Sequence, residues 1–275
     1  MCTPPIAPER IRALKRTVWS HYRKHGRHDL PWRMTQDPYR IVVSEVMLQQ
    51  TQVQRVMPKY EEFLKSFPTI QRLARAHPKE VLERWQGLGY NRRALALHRM
   101  AKEVVEHYDG HVPKERAALE RLPGIGVYTA GAVRVFAFGE PEVLVETNIR
   151  TVMLSEIIPD RTAVSDTELR ELVLRTLDTR RPREWYWALM DLGAHLKRSG
   201  VRLNDRSRHY KKQPAFSGSD RQIRGAIVRV LIQKGSMYEH RLVEEVAFPK
   251  ARVVRQVDAL VQEGIMRRKG KAISL

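Results

Sequence analysis

Apolar residues recur at three- and four-residue spacing along nearly the whole chain, and strict alternation is scarce before the last few residues. That period gathers apolar side chains on one face of a helix and leaves little material for a sheet, so the chain is confined to a mainly α fold. The spacing predicts helices near 9–24, 38–52, 54–66, 79–84, 92–107, 115–120, 127–137, 148–156, 166–177 and 183–196. In the second of these, Tyr39, Val42, Val43, Val46 and Met47 form the core stripe, with Glu45 on the other side. At 275 residues the chain can bury a substantial core, enough for one large domain and a small one or two of middling size.

Charge narrows the partners. Fifty basic residues against thirty-one acidic ones give a net charge of +19, which attracts any polyanion and makes nucleic acid the natural partner. A merely basic surface is the bland alternative. Cys2 is the only cysteine, which excludes an internal disulfide and any site built on several thiolates. A reducing setting is expected, cytoplasmic with the nucleoid or otherwise inside the cell with DNA. No apolar run approaches the roughly 18 residues of a membrane helix, and the first twenty residues lack the apolar centre of a secretory signal. The expectation is a monomer acting on DNA, with no membrane.

Composition divides the chain into three stretches. Residues 1–196 carry the helical pattern. Residues 197–218 form a basic linker with Lys197, Arg198, Arg202, Arg206, Arg208, Lys211 and Lys212, broken by Ser217-Gly218-Ser219. Residues 219–275 hold three helix-sized blocks, 222–233, 239–246 and 250–262, then two extended halves around Gly270 within 265–275. That order resembles a winged helix-turn-helix, with Arg252 and Arg255 on its third helix and Arg267, Arg268, Lys269 and Lys271 in the wing. A small domain for protein contacts is the other reading.

Two acids and a glycine turn carry the chemistry. Glu45 stands in Ser44-Glu45-Val46-Met47-Leu48-Gln49-Gln50-Thr51, flanked along its helix by Ile41 and Leu48. A partly dry carboxyl keeps its proton more readily, and a protonated acid can donate to a departing purine on its imidazole-ring nitrogen. Glu146 follows Val143-Leu144-Val145 and precedes a helix expected near Asn148, close to amide donors and the positive helix end. An ionised carboxylate there can stabilise an oxocarbenium-like sugar or bond to it, so the two acids divide the labour as in glycoside chemistry. A helix cap without chemical duty is the alternative for Glu146. Between the acids, Leu122-Pro123-Gly124-Ile125-Gly126 joins two helical segments with a turn whose amides can meet a phosphate.

With these residues in hand, positions from about 28 to 196 resemble the helix-hairpin-helix (HhH-GPD) DNA glycosylase superfamily, most closely its adenine-specific MutY-type branch. The resemblance rests on Leu30-Pro31-Trp32-Arg33, on Pro38-Tyr39 through Gln52, and on Gly87-Leu88-Gly89-Tyr90. It continues through 122–126 with Tyr128-Thr129-Ala130-Gly131-Ala132, and through Met190-Asp191-Leu192-Gly193-Ala194. It implies a two-lobed helical fold in which Glu45 acts on the purine and Asn148 helps to hold the reacting sugar and water. It further implies that Gln50 and Tyr90 enter the duplex at the lesion, with Thr51 beside them, that Trp32, Arg33 and Asp191 line the base pocket, and that Leu122, Gly124 and Gly126 meet the DNA backbone. Backbone carbonyls of Glu120, Leu122 and Ile125 are where a monovalent cation would sit.

Three departures qualify the resemblance. Glu146 stands where the family has an aspartate, and Thr147 where it has glycine. The usual iron-sulfur cluster has no thiolates to hold it, so no cofactor is expected, and the basic stretch 197–212 takes the place of the cluster loop. The C-terminal domain that senses 8-oxoguanine is replaced by the winged-helix-like segment. Tyr128 occupies the position of the Schiff-base lysine of lyase-active relatives, so a monofunctional glycosylase without β-lyase activity is expected. The leading expectation is hydrolysis at a mispaired or damaged purine, adenine or hypoxanthine, flipped from the duplex. Two others stand beside it: a thymine or uracil glycosylase at mismatches with guanine, and a DNA-binding regulator that kept the scaffold and lost the chemistry.

Overall fold

The computed structural model describes residues 6–206 and 215–275. Its helices are α1 (Pro8–His25), α2 (Pro38–Leu48), α3 (Val53–Ser66), α4 (Ile70–Arg75), α5 (Pro78–Trp85), α6 (Arg92–His107), α7 (Arg116–Arg121), α8 (Val127–Phe138), α9 (Thr147–Val152), α10 (Asp166–Thr176), α11 (Pro182–Arg198), α12 (Asp220–Lys234), α13 (Glu239–Val246) and α14 (Lys250–Gln262). A 3₁₀ turn covers Pro31–Arg33 and a π-helical turn follows α9 at Met153–Ile157. The strands β1 (Met237–Tyr238), β2 (Arg267–Lys269) and β3 (Ala272–Ser274) form an antiparallel sheet in the order β1-β3-β2, with Ile273 opposite both Met237 and Arg268. The mainly helical expectation holds, and the sheet stays within the C-terminal segment.

The compact units do not follow the sequential boundaries expected from composition. One unit draws on residues 6–41 and 126–206, the other on 42–125 and 215–275. Residues 219–275 therefore cluster with the middle of the chain, where α12 packs against α5.

In the first unit, α11 lies against both α1 and α9. Trp185 and Tyr186 are fully buried on α11, and Trp185 meets Trp19 of α1 with ring centroids 5.6 Å apart. Gly193 fixes the approach of α11 to α9, since a Cβ there would stand 2.2 Å from the backbone oxygen of Asn148. Backbone crowding of that kind admits glycine alone. The hydroxyl of Tyr186 donates to the Glu142 carbonyl at 2.6 Å and accepts from the Leu144 amide at 3.1 Å, clipping the extended segment before α9 to α11. The start of the expected basic linker is held down too. The Val164 amide donates to the Arg206 carbonyl (3.0 Å), and the Thr151 hydroxyl to Asn204 Oδ1 (3.3 Å). Arg208, Lys211 and Lys212 lie outside the described residues.

In the second unit, Phe63, Phe67, Trp85, Leu97 and Met100 form a core shared by α3 to α6. Ile223, Ile227, Leu242, Val253, Val257 and Ile273 form the core of α12 to α14 and the sheet. Among the basic residues expected on its outer face, Arg252 pairs with Asp220 (2.6 Å), and Arg268 bridges Glu239 (2.8 Å) and Asp258 (2.6 Å). Those two arginines tie the segment together. Among the described residues no helix is long and apolar enough to cross a membrane.

Candidate active site

Asp37 starts α2: its Oδ1 accepts from the Tyr39 amide at 2.9 Å, as a short acidic side chain does at a helix start. The helix is enclosed more completely than a one-sided stripe predicts. Ile41 and Ser44 are buried along with Val42, Val43, Val46 and Met47, while Glu45 is half-buried. Its carboxyl therefore belongs to a helix that is largely out of water.

The spacing predicts that α2 runs to Gln52, but it stops at Leu48. Gln50 takes a left-handed backbone conformation (φ 54°), which no α-helix continues through. The last carbonyls of a helix lack intrahelical donors, and here one guanidinium supplies them. Arg93 Nη1 donates to the carbonyls of Val46 (2.8 Å), Met47 (3.0 Å) and Gln49, and Nη2 donates to the Thr51 hydroxyl at 3.1 Å. The same Nη2 reaches the carbonyls of Leu88 (3.3 Å) and Gly89 (3.2 Å). One side chain thus binds the Gln49–Thr51 turn to the turn that carries Tyr90.

That second turn uses three exceptions to ordinary backbone geometry within four residues: Gly87 (φ 91°), Gly89 (φ 71°) and Tyr90 (φ 49°). The glycines adopt such values freely, whereas the tyrosine is held there. The Trp85 indole donates to the Gly89 carbonyl at 3.0 Å, and the Arg93 guanidinium lies over both the Trp85 and Tyr90 rings. Burial pulls the Arg93 pKa down to about 10, so the group stays cationic at neutral pH.

Glu146 is the N-cap of α9. Its Oε1 accepts from the amides of Asn148 (2.8 Å) and Ile149 (2.9 Å); its Oε2 accepts from Asn148 Nδ2 (3.1 Å) and the Thr147 hydroxyl (3.2 Å). Glu146 and Asn148 are thereby brought together, and both are half-buried. Capping and chemistry are compatible here, because the donors that satisfy the helix start also fix where the carboxylate stands.

Asp191, expected in the lining of a base pocket, is fully engaged by neighbouring arginines. It is 3% exposed, and both its oxygens are occupied. Oδ2 accepts from the Arg27 amide (2.9 Å) and Arg33 Nη1 (2.8 Å), and Oδ1 accepts from Arg33 Nη2 (3.0 Å) and Arg27 Nε (2.7 Å). Burial opposes its charge, but the hydrogen bonds and charges of Arg33 and Arg27 outweigh burial and hold the carboxyl below its ordinary range. Arg33 also stacks over Trp187 at 5.4 Å, next to buried Trp32 in the chain.

In the hairpin, Gly124 (φ 81°) passes so close to α6 that a Cβ would stand 2.7 Å from Ala96 Cβ. The Ile125 amide closes the turn on the Leu122 carbonyl at 3.1 Å. Leu122 and Ile125 are buried, while Gly124, Gly126 and Val127 are exposed and Tyr128 is half-buried. Sequence reasoning missed Arg27, Arg93 and Tyr186, whose roles depend on partners far away in the chain.

A helical fold with an acid on α2, a capped acid before α9 and a glycine hairpin between them defines a class. The family of HhH-GPD superfamily base excision DNA repair proteins matches residues 43–268, and the chain belongs to it. The chain is 38% identical over 225 residues to the adenine DNA glycosylase of Mycolicibacterium smegmatis, covering 75% of this chain and 76% of that one. It is 39% identical over 145 residues to the thymine-DNA glycosylase of Aeropyrum pernix, covering 52% of this chain and 65% of that one. Among solved structures, a thermostable thymine-DNA glycosylase superposes with a TM-score of 0.60 at 27% identity, over 68% of this chain and 87% of that one.

Proposed function

We propose that this protein is a monofunctional DNA glycosylase that hydrolyses the N-glycosidic bond of a mispaired or damaged purine, adenine or hypoxanthine, in double-stranded DNA. The observation that carries this reading is Glu45, a half-buried acid whose helix neighbours Ile41, Ser44, Val46 and Met47 are buried and whose helix is followed at once by the Gln49–Thr51 turn. Likeness to an adenine DNA glycosylase over three quarters of both chains supports the purine.

In this reading the target nucleotide is flipped out of the duplex, and Glu45 gives its proton to the imidazole-ring nitrogen of the purine. The C1′–N9 bond breaks with its electron pair going to the base, leaving an oxocarbenium-like sugar. Glu146, fixed by its four donors, stabilises that positive charge, and Asn148 orients the water that adds at C1′ and releases its proton to solvent. Trp32 and Arg33 bound the base, with Asp191 as a positioning residue that anchors Arg33 and Arg27. Gln50, Thr51 and Tyr90 enter or flank the gap in the duplex, while Leu122, Gly124 and Gly126 meet phosphate. Tyr128 provides no amine for a Schiff base, so strand cleavage is not expected. The donor set does not fit an iron-sulfur cluster, since Cys2 is the only cysteine. We read the C-terminal segment as a winged helix and the protein as an intracellular monomer.

A second reading, a thymine glycosylase, draws on the likeness to two thymine-DNA glycosylases and on Tyr128, which is compatible with either base. Incubation with a panel of mismatched duplexes decides between them. Release of adenine or hypoxanthine supports the first reading, release of thymine or uracil opposite guanine supports the second, and tight binding without abasic product leaves a regulator.

A further inference from the structure

The C-terminal segment touches the residue that the proposed function sends into the duplex. Arg221, in the first turn of α12, donates from Nη1 to the Tyr90 hydroxyl at 2.9 Å, and its guanidinium lies 5.8 Å from the Tyr90 ring centroid. It also lies 5.9 Å from the ring of Phe216, just before α12. The Arg93 guanidinium stands 5.3 Å from the same Tyr90 ring. Beside Tyr90 is a cavity of about 440 Å³, lined by Val46, Gln49, Ala96 and Gly124 together with Arg221 and Leu260 of the C-terminal segment.

A tyrosine on a left-handed backbone, next to open space, is not fixed by solid packing. Cation–aromatic contact and a hydrogen bond to the hydroxyl can choose its side-chain direction. We propose that Arg221 is a positioning residue for Tyr90, so that the C-terminal segment is a working part of the DNA-reading edge. This rests on the glycosylase reading for its consequence, though the contact itself stands on geometry. Arg221 presents the phenol in one orientation, and its positive charge remains beside the ring when phosphate approaches. Loss of Arg221 removes the hydrogen bond that sets the direction of the phenol, and insertion into the duplex becomes slower.

The test uses the full-length chain and a mismatched duplex carrying 2-aminopurine next to the mismatch, whose fluorescence rises when the stack opens. Arg221→Ala is compared with Arg229→Ala, which removes the same charge from an exposed position of the same helix. A lost hydrogen bond worth about 1 kcal/mol predicts about fivefold slower opening for Arg221→Ala, with little change for Arg229→Ala. Tyr90→Phe removes the hydroxyl from the other side, and the double variant should be no slower than the slower single variant, because both delete one shared interaction. Arg221→Lys should fall between, and it serves if the alanine variant fails to fold.

Equal opening rates for Arg221→Ala and Arg229→Ala, or fully additive effects with Tyr90→Phe, would overturn the proposal. Base release is measured in parallel. A parent protein that opens the stack but frees no base would sink the glycosylase reading while leaving the Arg221 result to be judged by fluorescence.

Discussion

The first unit buries the Asp191 carboxylate and the second half-buries the Arg93 guanidinium, and each satisfies its charge differently. In the first, Asp191 is surrounded by two arginines, so charge answers charge. In the second, Arg93 is surrounded by carbonyls and a hydroxyl, so dipoles answer charge, and its Nε has no hydrogen-bond partner. The Asp191 cluster is a clamp between segments distant in sequence, with its carboxylate as the single point on which both arginines depend. The Arg93 arrangement is a splice that joins two turns through many weak bonds. A clamp fails when its centre is removed, whereas a splice loosens bond by bond.

Removing the centre of the clamp should have the largest effect on stability. Asp191→Ala leaves Arg33, itself almost fully buried, without a counter-charge, and taking one member from a buried pair costs about 3–5 kcal/mol. Urea unfolding monitored by tryptophan fluorescence measures it, and a cost under about 1 kcal/mol would mean that the two arginines find water or other acceptors.

Arg93→Met should come next. It keeps most of the buried stem but strips the donors from both turns, at a cost of about 2 kcal/mol. Because Gln50, Thr51 and Tyr90 sit on those turns, stack opening at a mismatch should suffer more than stability does. Loss of stability without loss of opening would show that the turns hold themselves.

The smallest effect is graded with pH. The Asp191 carboxyl is held below its ordinary value of 3.8 in the folded protein. Its contribution to stability is therefore fully present above that value and is lost as pH falls through the lower, folded one. Wild type should lose stability in that acid range more steeply than Asp191→Ala. Parallel curves for the two proteins would contradict the clamp.

What the sequence discloses follows the same divide. The helices were legible because burial of a stripe imposes its period on nearby residues: the expected 92–107 is α6 as observed, and 54–66 is α3 within one residue. The cap at Glu146 was legible as well, since an acid between an extended run and Thr147-Asn148 has only local donors to find. The end of α2 was not, because the donors for its last carbonyls come from Arg93, more than forty residues further on. Nor was the engagement of Asp191, whose partners Arg27 and Arg33 lie near the other end of the chain. The grouping of residues 42–125 with 215–275 was not legible for a related reason. Composition marks where a linker begins but carries no record that α12 will pack on α5 and bring Arg221 to Tyr90.

The central claim is that Glu45 donates the proton that releases the base. Single-turnover assay of Glu45→Gln on the duplex most active in the mismatch panel tests it directly, with binding measured on the same duplex. Glu45→Gln keeps the size of the side chain and removes its acid, so DNA affinity should stay within about twofold of wild type while base release falls at least about a hundredfold. Base release at the wild-type rate would contradict the assignment of Glu45 as the acid.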